Sequence, residues 1–376
     1  MNQKYPYPIS EKTSEIGSHF PIPRMDAADV PTREKNKIGS MITFFIIASF
    51  LVFLGLSMLM ALLFPALNSS RESSRQVKCT VNIQKMLFAC SSYESSQGTL
   101  PPGGWGTLWA GDPNCAPGTT QPGGWAYAIL PYMERSDVYE MGKNSDTLRE
   151  DLMSAQRTPI PNFYCPSRRS GVARPSESVF YNSGRPGMMG KIDYAGNAGD
   201  GKNITEFLNG EGMNQFSEET WQKQPFIGPF PGWEEKNTMV SNGVFQRRFG
   251  VKLDEISDGV SYTYMLGEKY LYANAYDTGT ARGDDQGWDV GFDDDILRFV
   301  KHENPVFVHP TQDTKDNTEP VFAFGGPHPN SFLMGMCDYS VSYIHFGISM
   351  EIFEAWGIRN DSWKLERKSL SEIEVQ

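Results

Sequence analysis

The chain is poor in the residues that most often bind metals. It has five histidines and five cysteines in 376 residues. The cysteines stand at 79, 90, 115, 165 and 337 and the histidines at 19, 302, 309, 328 and 345, with no C-x2-C or H-x3-H spacing among them. That pattern gives zinc little support. Basic residues are also in deficit, 34 Lys and Arg against 45 Asp and Glu, for a net charge of −11. Phosphate backbones require a concentrated basic surface, so nucleic acid is excluded as a partner. A strong internal repeat is lacking too. The nearest echo, PPGGW at 101–105 and QPGGW at 121–125, reads as two turns and not as a solenoid. The most informative absence is local: no charged residue occurs from Ile38 to Ser70.

Ile38–Leu67 is almost wholly apolar. As a helix its roughly 30 residues extend about 45 Å, beyond the ~20 residues that a bilayer core requires. A cleaved signal peptide is the main competitor. Its apolar region would be far shorter, and no small-x-small site follows closely here. A lipoprotein anchor fails because the first cysteine, Cys79, lies well past the run. Arg33, Lys35 and Lys37 precede the segment while Arg71, Arg75 and Lys78 follow it, so the charge bias only leans towards a cytoplasmic N-terminus. Residues 1–37 are polar and dotted with proline, which suits a disordered tail. The remainder is rich in Gly, Pro and aromatics and carries all five cysteines, which suits export into an oxidising space. The expected placement is therefore a single span of the cytoplasmic membrane, N-terminus inside and C-terminal domain outside.

Pro65 cannot donate to the Ala61 carbonyl, which predicts a kink or a restart. Ser69 and Glu72 then have the spacing of a capping box, a local signal for a fresh helix. At 100° per residue, Arg71, Arg75, Lys78, Asn82 and Lys85 share one arc, and Cys79, Ile83, Met86 and Cys90 another, with Val77, Val81 and Phe88 nearby. This predicts an amphipathic helix at 68–98 whose apolar face packs on its own domain and whose basic stripe is placed to meet lipid headgroups. With 36 Gly, 25 Pro and 12% aromatics, residues 99–357 are expected to be rich in strands and turns, ahead of a charged tail at 358–376.

In FLMGMCDYSVSYIHF, two period-2 runs flank Asp338-Tyr339 and predict a β-hairpin. A type I′ turn would force positive φ on Tyr339, so a longer loop or another turn type is expected. His328 and Asp338 could form a catalytic pair, but no G-x-S-x-G nucleophile motif accompanies them. The structural reading, that His328 between Pro327 and Pro329 fixes the approach to the hairpin, is preferred. The stretch GDDQGWDVGFDDD offers Asp284, Asp285, Asp289, Asp293, Asp294 and Asp295 as ligands for a hard cation such as Ca²⁺. Its spacing is not that of an EF-hand, and a solvated acidic loop is the competing reading. No other cofactor is expected.

A membrane helix that passes through a proline into an amphipathic helix backing a sheet is the organisation of type IV pilins and pseudopilins. Ordered stretches make the resemblance more specific: LLFPALNSSRESSRQVKCTVNIQKM, GTLPPGG, GGWAYAILPYMERSDVYEM, FYCPSRR, KIDYAGNAGD, NGVFQRR, ISDGVSYTYMLGEK and FAFGGPHPNSFLMGMCDYSVSYIHFGISMEIFEAWG. Through them the chain resembles the prepilin-like group called domain of unknown function 1559, abundant in planctomycete-like bacteria. It departs from that group at three places. Thr43 and Ala48 stand where the processing glycine and the helix glutamate belong, and Tyr339 replaces the glycine of the His-x9-Asp-Gly signature formed by His328 and Asp338. The resemblance implies an α+β fold: a transmembrane helix at 38–67 running through the kink into a helix packed on a β-rich, pilin-like domain. It also implies a Cys79–Cys165 disulfide. Cys90–Cys115 is a second choice, since Cys79 and Cys90 lie about 16 Å apart along one helix. Lys269 and Asp193 fall in the family stretches without an assignable role. The function expected is structural or assembly-related, without catalysis, and the partners expected are the membrane, further copies or other pilin-like subunits. An anchored glycan-binding module using Trp105, Trp109, Trp125, Trp233 and Trp288 is the alternative, which requires those rings to be exposed. An anchored hydrolase is the third.

Overall fold

The computed structural model describes residues 32–201, 241–302, 305–315 and 322–361. Trp233 and most of both tails lie outside the described residues. The chain divides into two compact units, Met1–Leu67 and Asn68–Gln376.

Helix α1 spans Thr32–Gln97. In the first unit its large apolar side chains are exposed, from Ile38 at 61% to Leu67 at 51%. This stretch is long and apolar enough to cross a membrane. The helical assignment continues through Pro65, so the restart expected at Ser69 does not occur, and Ser73 donates to the Ser69 carbonyl as within a helix. A proline loses one backbone hydrogen bond, and the turns on either side carry the helix across the gap.

In the second unit, α1 presents Cys79, Ile83, Met86, Leu87, Ala89, Cys90 and Tyr93 to the core. The buried face is narrower than the sequence suggested, because Val77, Val81 and Phe88 remain exposed at 58%, 42% and 61%. Short helices follow at Trp125–Ala128 (α2), Ser136–Tyr139 (α3) and Leu148–Gln156 (α4). The strands are Arg174–Pro175 (β1), Met188–Met189 (β2), Tyr194–Asn197 (β3), Tyr264–Glu268 (β4) and Leu297–Arg298 (β5). They continue with Thr311–Gln312 (β6), Gly325–Gly326 (β7), Ser331–Met336 (β8) and Val341–His345 (β9), and helix α5 closes the described chain at Met350–Gly357.

The main sheet has the order β5-β3-β4-β8-β9. All its pairings are antiparallel except β3 with β5. Period-2 alternation assigns its two faces. On one face Leu333 joins α1's core cluster, and a Cβ on Gly335 would stand 2.8 Å from Leu87 and 3.1 Å from Ile83. On the other, Phe332, Met334 and Met336 pack with Phe353 and Trp356 of α5. The fold is α+β, and among the described residues the strands are short. Much of the domain is buried loop, because so many glycines and prolines interrupt the ladders and side chains take over the hydrogen bonding.

The two GGW turns are one such device. Trp105 N donates to the Pro122 carbonyl at 3.0 Å. Gly104, at φ +85°, lies so close to Pro122, Gly124 and Gly291 that a Cβ would fall 2.6–2.8 Å from their backbone atoms. Only glycine meets both demands there.

The β8–β9 hairpin closes through three residues, Cys337 to Tyr339. Tyr339 N donates to the Met336 carbonyl and Met336 N to the Ser340 carbonyl, both at 2.9 Å, and Tyr339 takes φ +69°. This is the longer loop expected, a type I turn followed by a left-handed residue.

Candidate functional site

Four buried side chains converge where α1 meets the sheet. Cys79 comes from α1, Cys165 from the loop FYCPSRR, Glu268 from the end of β4, and His328 from the Pro-His-Pro turn before β8. One donor atom from each lies within 4.8 Å of all the others. The two sulfurs are 3.1 Å apart, Cys165 Sγ is 3.8 Å from His328 Nε2, and His328 Nε2 is 3.1 Å from Glu268 Oε1. Exposure of the four residues is 0%, 0%, 0% and 1%.

His328, Glu268 and Cys165 are each held from behind. Glu72, two turns before Cys79 on α1, takes His328 Nδ1 at 2.6 Å and also accepts from Ser167 Oγ at 3.0 Å. Burial raises the pKa of Glu72, but hydrogen bonds from His328, Ser167 and Arg75 outweigh it and keep the carboxyl below its usual range. Glu268 Oε2 accepts from Leu333 N at 3.0 Å, whereas Glu268 Oε1 has no hydrogen-bond partner. Cys165 N donates to Asp193 Oδ2 at 2.7 Å, and burial pushes the Cys165 thiol well above its ordinary value. Such a set of two sulfurs, an imidazole and a carboxylate can hold a metal ion.

Beside this cluster runs a buried ionic network. Arg169 bonds Asp193 at 2.6 Å and Asp284 at 2.5 and 2.8 Å. Arg168 pairs with Asp313 at 2.7 Å and also donates to the backbone carbonyls of Asp193 and Lys269. Lys269 Nζ donates to the carbonyls of Gly283 and Asp295, each at 2.7 Å, and burial lowers its pKa to about 8. Lys191 Nζ does the same for Asp284 and Gln286 at 2.8 and 2.5 Å. The two family positions without an evident role, Asp193 and Lys269, therefore shape the loops around the cluster.

The sequence-predicted residues fall out as follows. Cys79 and Cys165 do meet, with their sulfurs 3.1 Å apart and no S–S bond formed between them in this structure. Cys90 and Cys115 are likewise free. His328 and Asp338 do not pair: they lie at opposite ends of β8, and Asp338 accepts from Ser340 N and Oγ at 3.0 and 2.7 Å within the turn. The acidic stretch is not a solvated loop. Asp284, Asp289, Asp293, Asp294 and Asp295 are buried and Asp285 is partly so. Asp284 is committed to Arg169 and Asp294 meets Arg282 at 3.2 Å, while Asp293, Asp294 and Asp295 bring carboxylate oxygens within 4.8 Å of one another. Trp105, Trp109, Trp125 and Trp288 are at most 1% exposed, which removes the aromatic binding platform as far as the described residues go.

Glu268 and the contact of Glu72 with His328 escaped sequence reasoning, as did the convergence of all four donors. Spacing rules look for ligand pairs on one element, and here every donor comes from a different one. A signal was nevertheless present, because each of the four stands in a different one of the stretches that carry the family resemblance.

Residues 68–348 match the sequence model of a family described as "Protein of unknown function (DUF1559)". No curated protein and no solved structure matches the chain.

Proposed function

This chain belongs to the DUF1559 family of proteins of unknown function, and from that premise we propose that it is a membrane-anchored, pilin-like structural protein of the bacterial envelope, without catalytic activity. The observation that carries the reading is α1. One helix supplies an exposed apolar stretch of bilayer length and, from Cys79 onward, a wall of the folded domain's core. A pilin-like subunit needs that division of labour, with the anchor and the domain sharing one rod. In this reading residues 1–37 lie in the cytoplasm and the domain outside the inner membrane, in the direction of the slight charge lean. Val77, Val81 and Phe88 occupy an arc of about 40° on α1 at helical geometry and stay exposed. That ridge favours self-association or packing with other pilin-like helices over a solitary domain.

The test is protease treatment of intact spheroplasts, followed by mass spectrometry of the membrane-retained chain. The reading expects residues 99–357 to be digested from outside while peptides from MNQKYPYPISEK survive inside. A mature chain beginning near Phe44 would place it in the prepilin-processing route despite Thr43 and Ala48. Recovery of the domain in the soluble fraction, cut after the apolar run, would overturn anchoring.

A further inference from the structure

We propose that Cys79, Cys165, Glu268 and His328 form a structural zinc site that fastens the anchor helix to the sheet. This goes beyond the envelope role and does not depend on it. Zinc takes four ligands tetrahedrally, at about 2.3 Å from sulfur and about 2.0–2.2 Å from nitrogen and oxygen. Those bond lengths place donor atoms roughly 3.3–3.8 Å apart; the sulfur–nitrogen separation here, 3.8 Å, is at the top of that range, and the nitrogen–oxygen separation, 3.1 Å, must widen by roughly 0.2 Å. The sulfurs, at 3.1 Å, need to open by roughly 0.7 Å to accept the ion. Two thiolates with an imidazole select a borderline-soft cation over Ca²⁺ or Mg²⁺.

Two features of the surroundings favour an ion over the weak sulfur hydrogen bonds that otherwise link the cluster. Glu268 Oε1 is buried and accepts no well-directed hydrogen bond, its close contact being the approach of His328 Nε2 at 3.1 Å. A cation between them satisfies both groups. His328 Nδ1 is occupied by Glu72 at 2.6 Å, which fixes the tautomer that leaves Nε2 free to ligate. Four protein donors, all buried, leave no open position for substrate, so the ion is structural. On loading, the two thiols release their protons to solvent and bind as thiolates, with no change in oxidation state.

The test uses the full-length chain extracted from membranes in detergent, without reductant, and measures bound metal by inductively coupled plasma mass spectrometry. The expected content is about one zinc per chain. Cys79→Ser and His328→Gln should lower it at least tenfold, while Cys90→Ser leaves it unchanged. Replacement by cobalt should give thiolate-to-cobalt charge transfer and the intense visible bands of a tetrahedral site. If the serine or glutamine variants fail to fold, His328→Cys keeps four donors and must still bind metal with an altered cobalt spectrum. Peptide mapping of metal-free wild-type protein that finds a Cys79–Cys165 disulfide, or zinc retained undiminished in folded Cys79→Ser, overturns the proposal.

Discussion

Arg169 gives the sharpest test of how the domain is held together. Its guanidinium, 1% exposed, lies between Asp193 and Asp284, which are 0% and 2% exposed. At an effective dielectric of ~20, each contact is worth about 4 kcal/mol of gross Coulomb attraction, much of it offset by the desolvation of three charges. Removing the arginine leaves both carboxylates buried without their partner. Arg169→Met should therefore cost about 3–5 kcal/mol, a large fraction of the ~5–15 kcal/mol typical of a domain. Arg169→Met combined with Asp284→Asn should recover part of that loss, because one orphaned charge is gone. Arg185→Met, which breaks an exposed pair with Glu177, should cost under ~1 kcal/mol. The pH dependence gives a second reading. Burial opposes ionisation of Asp284, but Arg169 and Lys269 hold its pKa down to about 2, below the ordinary 3.8. A depressed carboxylate stabilises above its unfolded pKa, so roughly 2 kcal/mol is lost as pH falls from about 4 to about 2. That acid loss should shrink in Arg169→Met, where Lys269 and Lys191 alone oppose the effect of burial. Urea unfolding of the full chain in detergent, followed by tryptophan fluorescence, measures all of these. A loss below about 1 kcal/mol for Arg169→Met would refute the argument that the network is a buried, mutually dependent one.

Burial pushes the Asp289 carboxyl up to about 7, so it favours the fold when neutral. That support should fade as pH rises from about 4 to about 7, and Asp289→Asn should flatten this part of the stability profile. Gly335→Val would drive a branched side chain into Leu87 and Ile83 and should cost about 1–3 kcal/mol, read as a lower urea midpoint. Tyr339, at φ +69°, carries backbone strain that glycine lacks but also packs a half-buried ring on the core. Tyr339→Gly should therefore be more stable than Tyr339→Ala by about 1 kcal/mol, and the reverse order in thermal melts would rule out the left-handed turn.

Elements with one strong local signal were legible in the sequence. The apolar run gave the candidate span, the 100° pattern placed Cys79, Ile83, Met86 and Cys90 on the core face, and period-2 alternation gave β8 and β9. The misses share a physical cause. Val77, Val81 and Phe88 are apolar, yet they stay exposed on α1. The acidic stretch read as solvated because Arg169 and Lys191, which meet Asp284, are remote in sequence. Cys79, Cys165, Glu268 and His328 meet only through tertiary structure, so no spacing rule could join them. Pro65 signalled a break, but a single missing hydrogen bond is too weak to end a helix with many turns on each side.

The strand order β5-β3-β4-β8-β9 has a consequence for the timing of folding. The central strand β4 takes neighbours from far along the chain on both sides, β3 earlier and β8 later, and α1 docks on a face that β8 helps to complete. Closing loops of that length is slow, and little rewards the early segments until the last ones arrive. A chain emerging N-terminus first cannot finish its core until the final hairpin has emerged. A truncation anywhere before His345 would leave β8 or β4 with an open edge, and the emerging chain must be kept from pairing that edge with its neighbours in the meantime.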